Sequence, residues 1–507
     1  MSPLTERGTA REAPPVIDSG EGHLAPHEVK GRATAGAMLI GVRAATTQTL
    51  AFAGNVILAR LLVPDDFGAV AFGATLVTVA GFLSDGGLGV ALIRRTDAPS
   101  IDDLRALLGL QLLTSTALAA ITIVAGVFVG HVGLVAAVMA LSLPFVAARA
   151  SSTVLLERRL LYRPLVIAEF VESLTYYLWA IPAVLVGFGV WGLASGAVVR
   201  SVVATAVLIR LSPAGWIGAR LNFGRLRSLL GFGARFQARG VVALIRDEGL
   251  NLGIAAVAGL SVLGIWSLAA RVMQVPFLVF SALLRVSYPA MSRLNRSGSE
   301  LRVTVENLAA MTSLLAVAVL APLAGVADAL IPAVFGGRWA AAAEIITWAS
   351  VGLIFSGPIS VACSGYLYAT NDPRTPLRAT AANGAVWLVI ALALIRTVGP
   401  AAVGIGWLVA SLTEALIFSR TVKSRLGARL FRVCLVPACL ALPTALSART
   451  LEISVGGGLG GAIVGALFGG AVYLALVLLF ARRSVGLLAA AVRRAHAHWR
   501  PPEAVQA

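Results

Sequence analysis

Charge is scarce in this chain of 507 residues: only 13% are Asp, Glu, Lys or Arg, against roughly 25% in a soluble domain. Such a shortage excludes a self-solvating globule. Cysteine is nearly missing too. Cys363, Cys434 and Cys439 lie inside apolar blocks without metal-ligand spacing, and read as small buried apolar residues. Histidine is rare, and His496 and His498 stand two apart, so they do not share a helix face. There is no His/Cys cluster, no phosphate-binding loop and no large segment between apolar blocks to house a catalytic site. The chain is therefore expected not to be an enzyme and to hold no metal and no cofactor. Period-2 alternation is also lacking, which excludes a β-barrel wall.

Apolar residues make up 58% of the chain, and mean hydropathy is +0.87. They come in blocks of about 20 residues, the length that crosses a bilayer core as a helix. The expected fold class is all-α integral membrane, with about 14 transmembrane helices. The predicted spans are 36–61, 67–93, 104–129, 132–149, 164–187, 190–209, 228–248, 257–282, 305–333, 341–369, 376–396, 400–419, 430–448 and 457–481. Residues 1–34 carry five acids, four bases and Pro14-Pro15 but no apolar run, and read as a disordered cytoplasmic tail.

The net charge of +17 lies in the breaks between blocks, so it reports topology and not a nucleic-acid groove. Every second break, counting the two tails, is basic. Arg94, Arg95 and Arg105 begin the series, and Arg420, Lys423, Arg425, Arg429 and Arg432 come near its end; the set takes 32 of the 41 Lys and Arg residues. The alternate breaks, such as Val63-Pro64-Asp65-Asp66 and Gly187-Phe188-Gly189, are poor in bases. Basic loops stay inside the cell, so both termini are expected in the cytoplasm. The stretch Arg482–Arg500, arginines mixed with Leu487, Leu488, Val492 and Trp499, resembles an interfacial helix on anionic membrane lipids.

A repeat runs through the chain at an offset of 196 residues. Asn55 precedes Gly68 by thirteen residues, as Asn251 precedes Gly264, and Phe67-Gly68 matches Leu263-Gly264. Six spans separate the copies, which makes the repeat parallel. The expected organisation is a tail at 1–34, an N-lobe at 35–210 (spans 1–6), a cytoplasmic connector at 211–227, a C-lobe at 228–421 (spans 7–12), two extra spans within 422–481, and a basic cytoplasmic tail at 482–507.

Four arginines sit well inside apolar blocks: Arg43, Arg200, Arg239 and Arg271. Each would cost roughly 2.5–3.5 kcal/mol at a lipid-facing helix centre, so they should face a polar cavity or an acidic partner. Guanidinium forks suit phosphate oxygens, and these four are the expected substrate-binding residues. Arg43 also lies near enough to the cytoplasmic end to snorkel. Acids within reach of a helix are Asp85, Glu169, Glu172, Asp247, Glu248, Asp328 and Glu414. Of these, Asp85, Glu169, Glu172 and Asp247 are candidates for binding a coupling proton or sodium ion, and structural pairing with the arginines is the competing role.

The run Leu58-Ala59-Arg60-Leu61-Leu62-Val63-Pro64-Asp65-Asp66-Phe67-Gly68 resembles the polysaccharide (O-antigen-type) flippases of the multidrug/oligosaccharidyl-lipid/polysaccharide exporter superfamily. Asp85-Gly86-Gly87-Leu88-Gly89 and Leu263-Gly264-Ile265-Trp266-Ser267-Leu268-Ala269-Ala270-Arg271, followed by Pro276 and Pro289, are similar to later segments of that family. The resemblance implies two six-helix lobes around a central cavity in a bacterial inner membrane, alternating between inward-open and outward-open states. It implies an undecaprenyl-diphosphate-linked oligosaccharide as cargo, moved from the cytoplasmic to the outer leaflet. It also implies a polysaccharide polymerase and glycosyltransferases as partners, and no nucleic acid. A lipid II flippase, a multidrug exporter of the same fold and, last, a membrane enzyme of glycan assembly are the alternatives.

Overall fold

The computed structural model describes residues 26–95, 99–294, 298–370 and 372–480; within these, the side chains of 26–40 and 42, and most of those in 223–239 and 279–299, stand outside the description. The described chain is helical throughout, without a strand. In order the helices are α1 (Pro26–Leu61), α2 (Pro64–Asp85), α3 (Leu88–Arg94), α4 (Ile101–Val129), α5 (His131–Ala140), α6 (Leu143–Ala148), α7 (Ala150–Arg158), α8 (Tyr162–Leu185) and α9 (Val190–Leu211). The series continues with α10 (Phe223–Ala258), α11 (Leu260–Leu294), α12 (Gly298–Phe335), α13 (Ala341–Ala369), α14 (Arg374–Val398), α15 (Ala401–Leu426), α16 (Leu430–Ser454) and α17 (Gly458–Phe480).

A long helical segment stands at each predicted span, α5 and α6 together filling the fourth. Twelve of these segments, among the described residues, are long and apolar enough to cross a membrane, where the sequence predicts about fourteen. The two that fall short are α1 and α10, each 36 residues long. From Arg43 onward α1 carries Thr46, Thr47, Gln48, Thr49, Asn55 and Arg60; α10 gathers Arg246, Asp247 and Glu248 within one turn. Both helices are polar where the others are apolar. The first begins at Pro26, upstream of the expected 36.

The described residues divide into two compact units: one holds those up to Ala51 and those from Leu76 to Ala238, the other Phe52–Thr75 and those from Arg239 on. In the first unit a core of Leu92, Leu104, Leu107, Val154 and Ile217 joins α3, α4, α7 and the connector after α9. Arg158 closes this end by donating to the carbonyls of Leu92 and Arg95 at 3.1 and 2.7 Å, where α3 runs out of helical donors. Ser100 and Asp103 start α4 with a reciprocal capping box.

The second unit is built around the motif that ends α1. Pro64 opens α2, with Asp65 and Asp66 in its first turn, where carboxylates complement the helix dipole. Arg60 reaches the end of α12 and donates to the carbonyls of Ala333 and Val334 at 2.6 and 2.8 Å. Trp339, fully buried, donates from Nε1 to the Ala59 carbonyl at 2.8 Å and meets the Phe67 ring edge-on at 4.9 Å.

The two copies of the repeat touch within this unit. A Cβ on Gly68 would stand 1.9 Å from the Leu260 carbonyl oxygen, and one on Gly264 would stand 1.9 Å from that of Pro64. No side chain fits at either place, so the start of α2 and the start of α11 pack backbone to backbone. Polar contacts repeat the relation. Arg271 donates to Asn55, and Asn251 donates to Thr75 at 3.1 Å. Shifting 55 and 75 by 196 gives 251 and 271, so each copy uses the same two positions to grip the other.

Candidate functional site

Within the second unit, α10, α11, α13, α14 and α15 enclose a cavity of about 720 Å³. Its lining is mostly small and aromatic, with charge at few points. Arg246 extends along α14 past Gly384, whose missing Cβ would stand 2.8 Å from the arginine Cγ. Its guanidinium binds Asp247 through two hydrogen bonds, Nε to Oδ1 at 2.7 Å and Nη2 to Oδ2 at 3.1 Å. Neighbouring residues on a helix point apart, so the two side chains bend toward each other to pair, and both line the cavity. Glu414 of α15 accepts from Asn383 Nδ2 at 3.1 Å and from Ser360 Oγ at 3.4 Å. Asn251 ties α10 to α11 by accepting from Trp266 Nε1 at 3.0 Å. Arg271 lines the same cavity, bonded to Asn55 and set over the Phe67 ring at 5.5 Å.

Of the residues expected from sequence, Arg271 and Asp247 thus share one cavity, with Arg246 and Glu414 beside them. Arg43, Arg200, Asp85, Glu169 and Glu172 belong to the first unit, and Arg239 opens the later part of the second. Arg43 is ion-paired with Glu169, and Arg149 with Glu172 at 2.6 Å, so the two acids spaced i, i+3 on α8 take one arginine each. Arg200 lies over the Tyr176 ring at 5.0 Å. Asp85 accepts from Gln111 Nε2 at 2.9 Å and from the Gly87 amide at 3.2 Å, holding the left-handed Gly86-Gly87 turn between α2 and α3. The side chain of Arg239 lies outside the described residues.

Isolated charges stand out in the amino-acid sequence; the aromatic wall of the cavity does not. Trp266, Trp387 and Trp407 cluster there, with ring centroids 4.8–5.7 Å apart. They stand 121 and 20 residues apart along the chain, so no periodicity links them. A usable signal did exist for Arg271: the 196-residue offset pairs it with Thr75 as it pairs Asn251 with Asn55.

Residues 57–344 match the family model described as "Polysaccharide biosynthesis protein". The succinoglycan biosynthesis transport protein ExoT of Rhizobium meliloti is 26% identical over 73% of this chain and 73% of its own length. The lipopolysaccharide biosynthesis protein WzxC of Escherichia coli is 24% identical over 56% of this chain and 59% of its own. Among solved structures, the lipid II flippase MurJ in an inward closed conformation is similar with a TM-score of 0.73 at 15% identity, over 88% of this chain and all of that one. An inward-facing multidrug transporter of the MATE family is similar with a TM-score of 0.58 at 16% identity, over 75% of this chain and 94% of that one. These likenesses establish the fold, and the family match covers more than half of the sequence. The chain is a multi-span membrane protein belonging to the polysaccharide biosynthesis protein family.

Proposed function

We propose that this protein moves an undecaprenyl-diphosphate-linked oligosaccharide from the cytoplasmic to the outer leaflet of a bacterial inner membrane, without itself making or breaking covalent bonds. The observation that carries the reading is the cavity of the second unit, where Arg246 and Arg271 stand among aromatic and small side chains. Guanidinium groups in an apolar frame favour a diphosphate, whose oxygens accept paired N–H donors. Arg43, Arg200 and Arg239 belong to the same proposal as further contacts to the cargo. Transport proceeds by alternating access, the lobes 35–210 and 228–421 rocking about the bound diphosphate, with both termini in the cytoplasm. Asp85, Glu169, Glu172 and Asp247 are the proposed sites for a coupling ion. A polysaccharide polymerase and glycosyltransferases are the proposed partners.

A second reading, export of an organic cation by the same fold, draws support from Asp247 and Glu414 in the same cavity. The lipid II reading differs only in cargo. Flipping of fluorescent undecaprenyl-diphosphate oligosaccharide in proteoliposomes tests all three, with fluorescent lipid II and a cationic dye as parallel substrates. The oligosaccharide carrier is expected to be transported, and Arg271→Ala to slow it tenfold or more, the loss of one buried charge-assisted contact. Arg200→Ala and Arg239→Ala should slow it less. Movement of the dye alone would replace the proposal with cation export; movement of lipid II alone would replace the cargo.

A further inference from the structure

Three of the nine tryptophans of this chain meet in one wall of the cavity, and they are not equivalent. Trp266 and Trp387 are buried, and each spends its only donor on the protein: Trp266 on Asn251, Trp387 on the Val403 carbonyl at 3.0 Å. Trp407 is half-buried, packs against both, and makes no hydrogen bond from its indole nitrogen among the described residues. Phe277 lies across from it, centroids 5.7 Å apart and planes tilted by 34°. Two fixed rings thus hold a third whose surface and donor are left to the cavity. A tryptophan serving only the core looks different here: Trp339 is fully enclosed, and its nitrogen is satisfied.

The polar groups beside this ring are planar and only partly used. On α15, Trp407, Ser411 and Glu414 fall at i, i+4 and i+7, one helical face; on α14, Asn383 and Trp387 fall at i, i+4. Asn383 donates to Glu414, while its carbonyl oxygen makes no hydrogen bond among the described residues. Arg246 uses Nε and Nη2 on Asp247 and keeps Nη1. A flat apolar surface beside amide, carboxylate and guanidinium groups matches one chemistry well. A pyranose ring offers C–H bonds on its face and paired hydroxyls, each both donor and acceptor, around its edge. A lipid chain would leave the planar polar groups unmatched, and an inorganic anion would leave the aromatic wall unused. The cavity's 720 Å³ lies within the roughly 300–1,000 Å³ of small-molecule pockets, enough for sugar rings.

We propose that Trp407, held by Trp266 and Trp387, is the platform on which a pyranose ring of the cargo stacks, with Asn383 and Glu414 taking its hydroxyl groups. The proposal rests on the flippase reading and deepens it, because it assigns recognition of the sugar to side chains of the cavity other than the arginines proposed for the diphosphate. The test measures binding of two probes to the full chain in lipid nanodiscs: a short polyprenyl diphosphate, and the same carrier bearing one glucose or galactose. Wild type is expected to bind the sugar-bearing carriers more tightly than the bare one. Trp407→Leu, which keeps apolar bulk and loses the flat face, should cut the sugar-bearing affinity about tenfold and leave the bare carrier unchanged; Trp407→Phe should retain most of it. Melting temperatures of both variants separate a binding loss from misfolding. Equal weakening of both probes by Trp407→Leu, or equal binding of both probes by wild type, overturns the sugar platform and leaves the flippase reading intact. Failure of wild type to bind any of these carriers overturns the flippase reading, and the platform with it.

Discussion

Asp372 shows what a single charge does at the edge of a helix. It stands just before α14, and its carboxylate accepts from the amides of Arg374 and Thr375 at 3.1 and 3.2 Å and from the Thr375 hydroxyl at 2.7 Å. Arg425, from the last turn of α15, adds an ion pair at 2.7 Å. The Thr375 hydrogen bonds and then the arginine hold the carboxyl at about 2, below its ordinary 3.8. A depressed value stabilises the fold at pH above 3.8, and that contribution fades as pH falls from there through about 2. Asp372→Ala should therefore cost about 1 kcal/mol at pH 7, the ordinary worth of a cap. The difference in melting temperature from wild type should shrink steadily below pH 4. A gap that stays constant down to pH 2.5 would mean that the ionised carboxylate contributes nothing.

Helix starts carry the next level of organisation. Gly68 and Gly264 let α2 and α11 meet with no side chain between their backbones, and the same contact brings Asn55 to Arg271 and Asn251 to Thr75. Carbonyl groups of a helix cannot retreat the way a flexible side chain can. Gly68→Ala and Gly264→Ala are each expected to lower stability by at least 1–3 kcal/mol, the usual penalty of overpacking. Gly470→Ala, whose new methyl would meet nothing within 4 Å, should be neutral. Thermal unfolding of the purified variants decides; unchanged melting of Gly68→Ala would mean that the two helix starts are free to part. The sequence reveals the repeat but not this role for it, since periodicity records where a pattern recurs and says nothing about what its copies touch.

For the molecule as a whole, α1 and α10 are expected to cross the bilayer alongside the twelve more apolar segments. Their polar residues have partners inside the protein, Asn55 with Arg271 and Arg246 with Asp247, so hydrophobic counting undervalues both helices. With both crossing, basic and base-poor breaks alternate along the whole chain, as expected from the sequence. In a variant free of its three cysteines, single cysteines at Gly130, Gly259 and Gly399 should react with an impermeant thiol reagent added outside intact cells. Cysteines at Ser212 and Gly427 should stay silent until the membrane is opened. Labelling of Ser212 and Gly259 from the same side would show that α10 does not cross.

The helical fold was legible in the sequence because a bilayer tolerates backbone only when its hydrogen bonds are closed within each segment, and apolar runs of bilayer length announce that requirement residue by residue. The motif around Pro64 was equally legible, since turn chemistry is local. Charge was legible in sign and not in use. Arg43 and Arg271 look alike along the chain, yet one is paired with Glu169 while the other lines a cavity with Asn55 behind it. The wall formed by Trp266, Trp387 and Trp407 was hidden altogether. Those partners come from three different helices, α11, α14 and α15, and only packing brings them within contact, so the chemistry of the cavity was decided by tertiary structure.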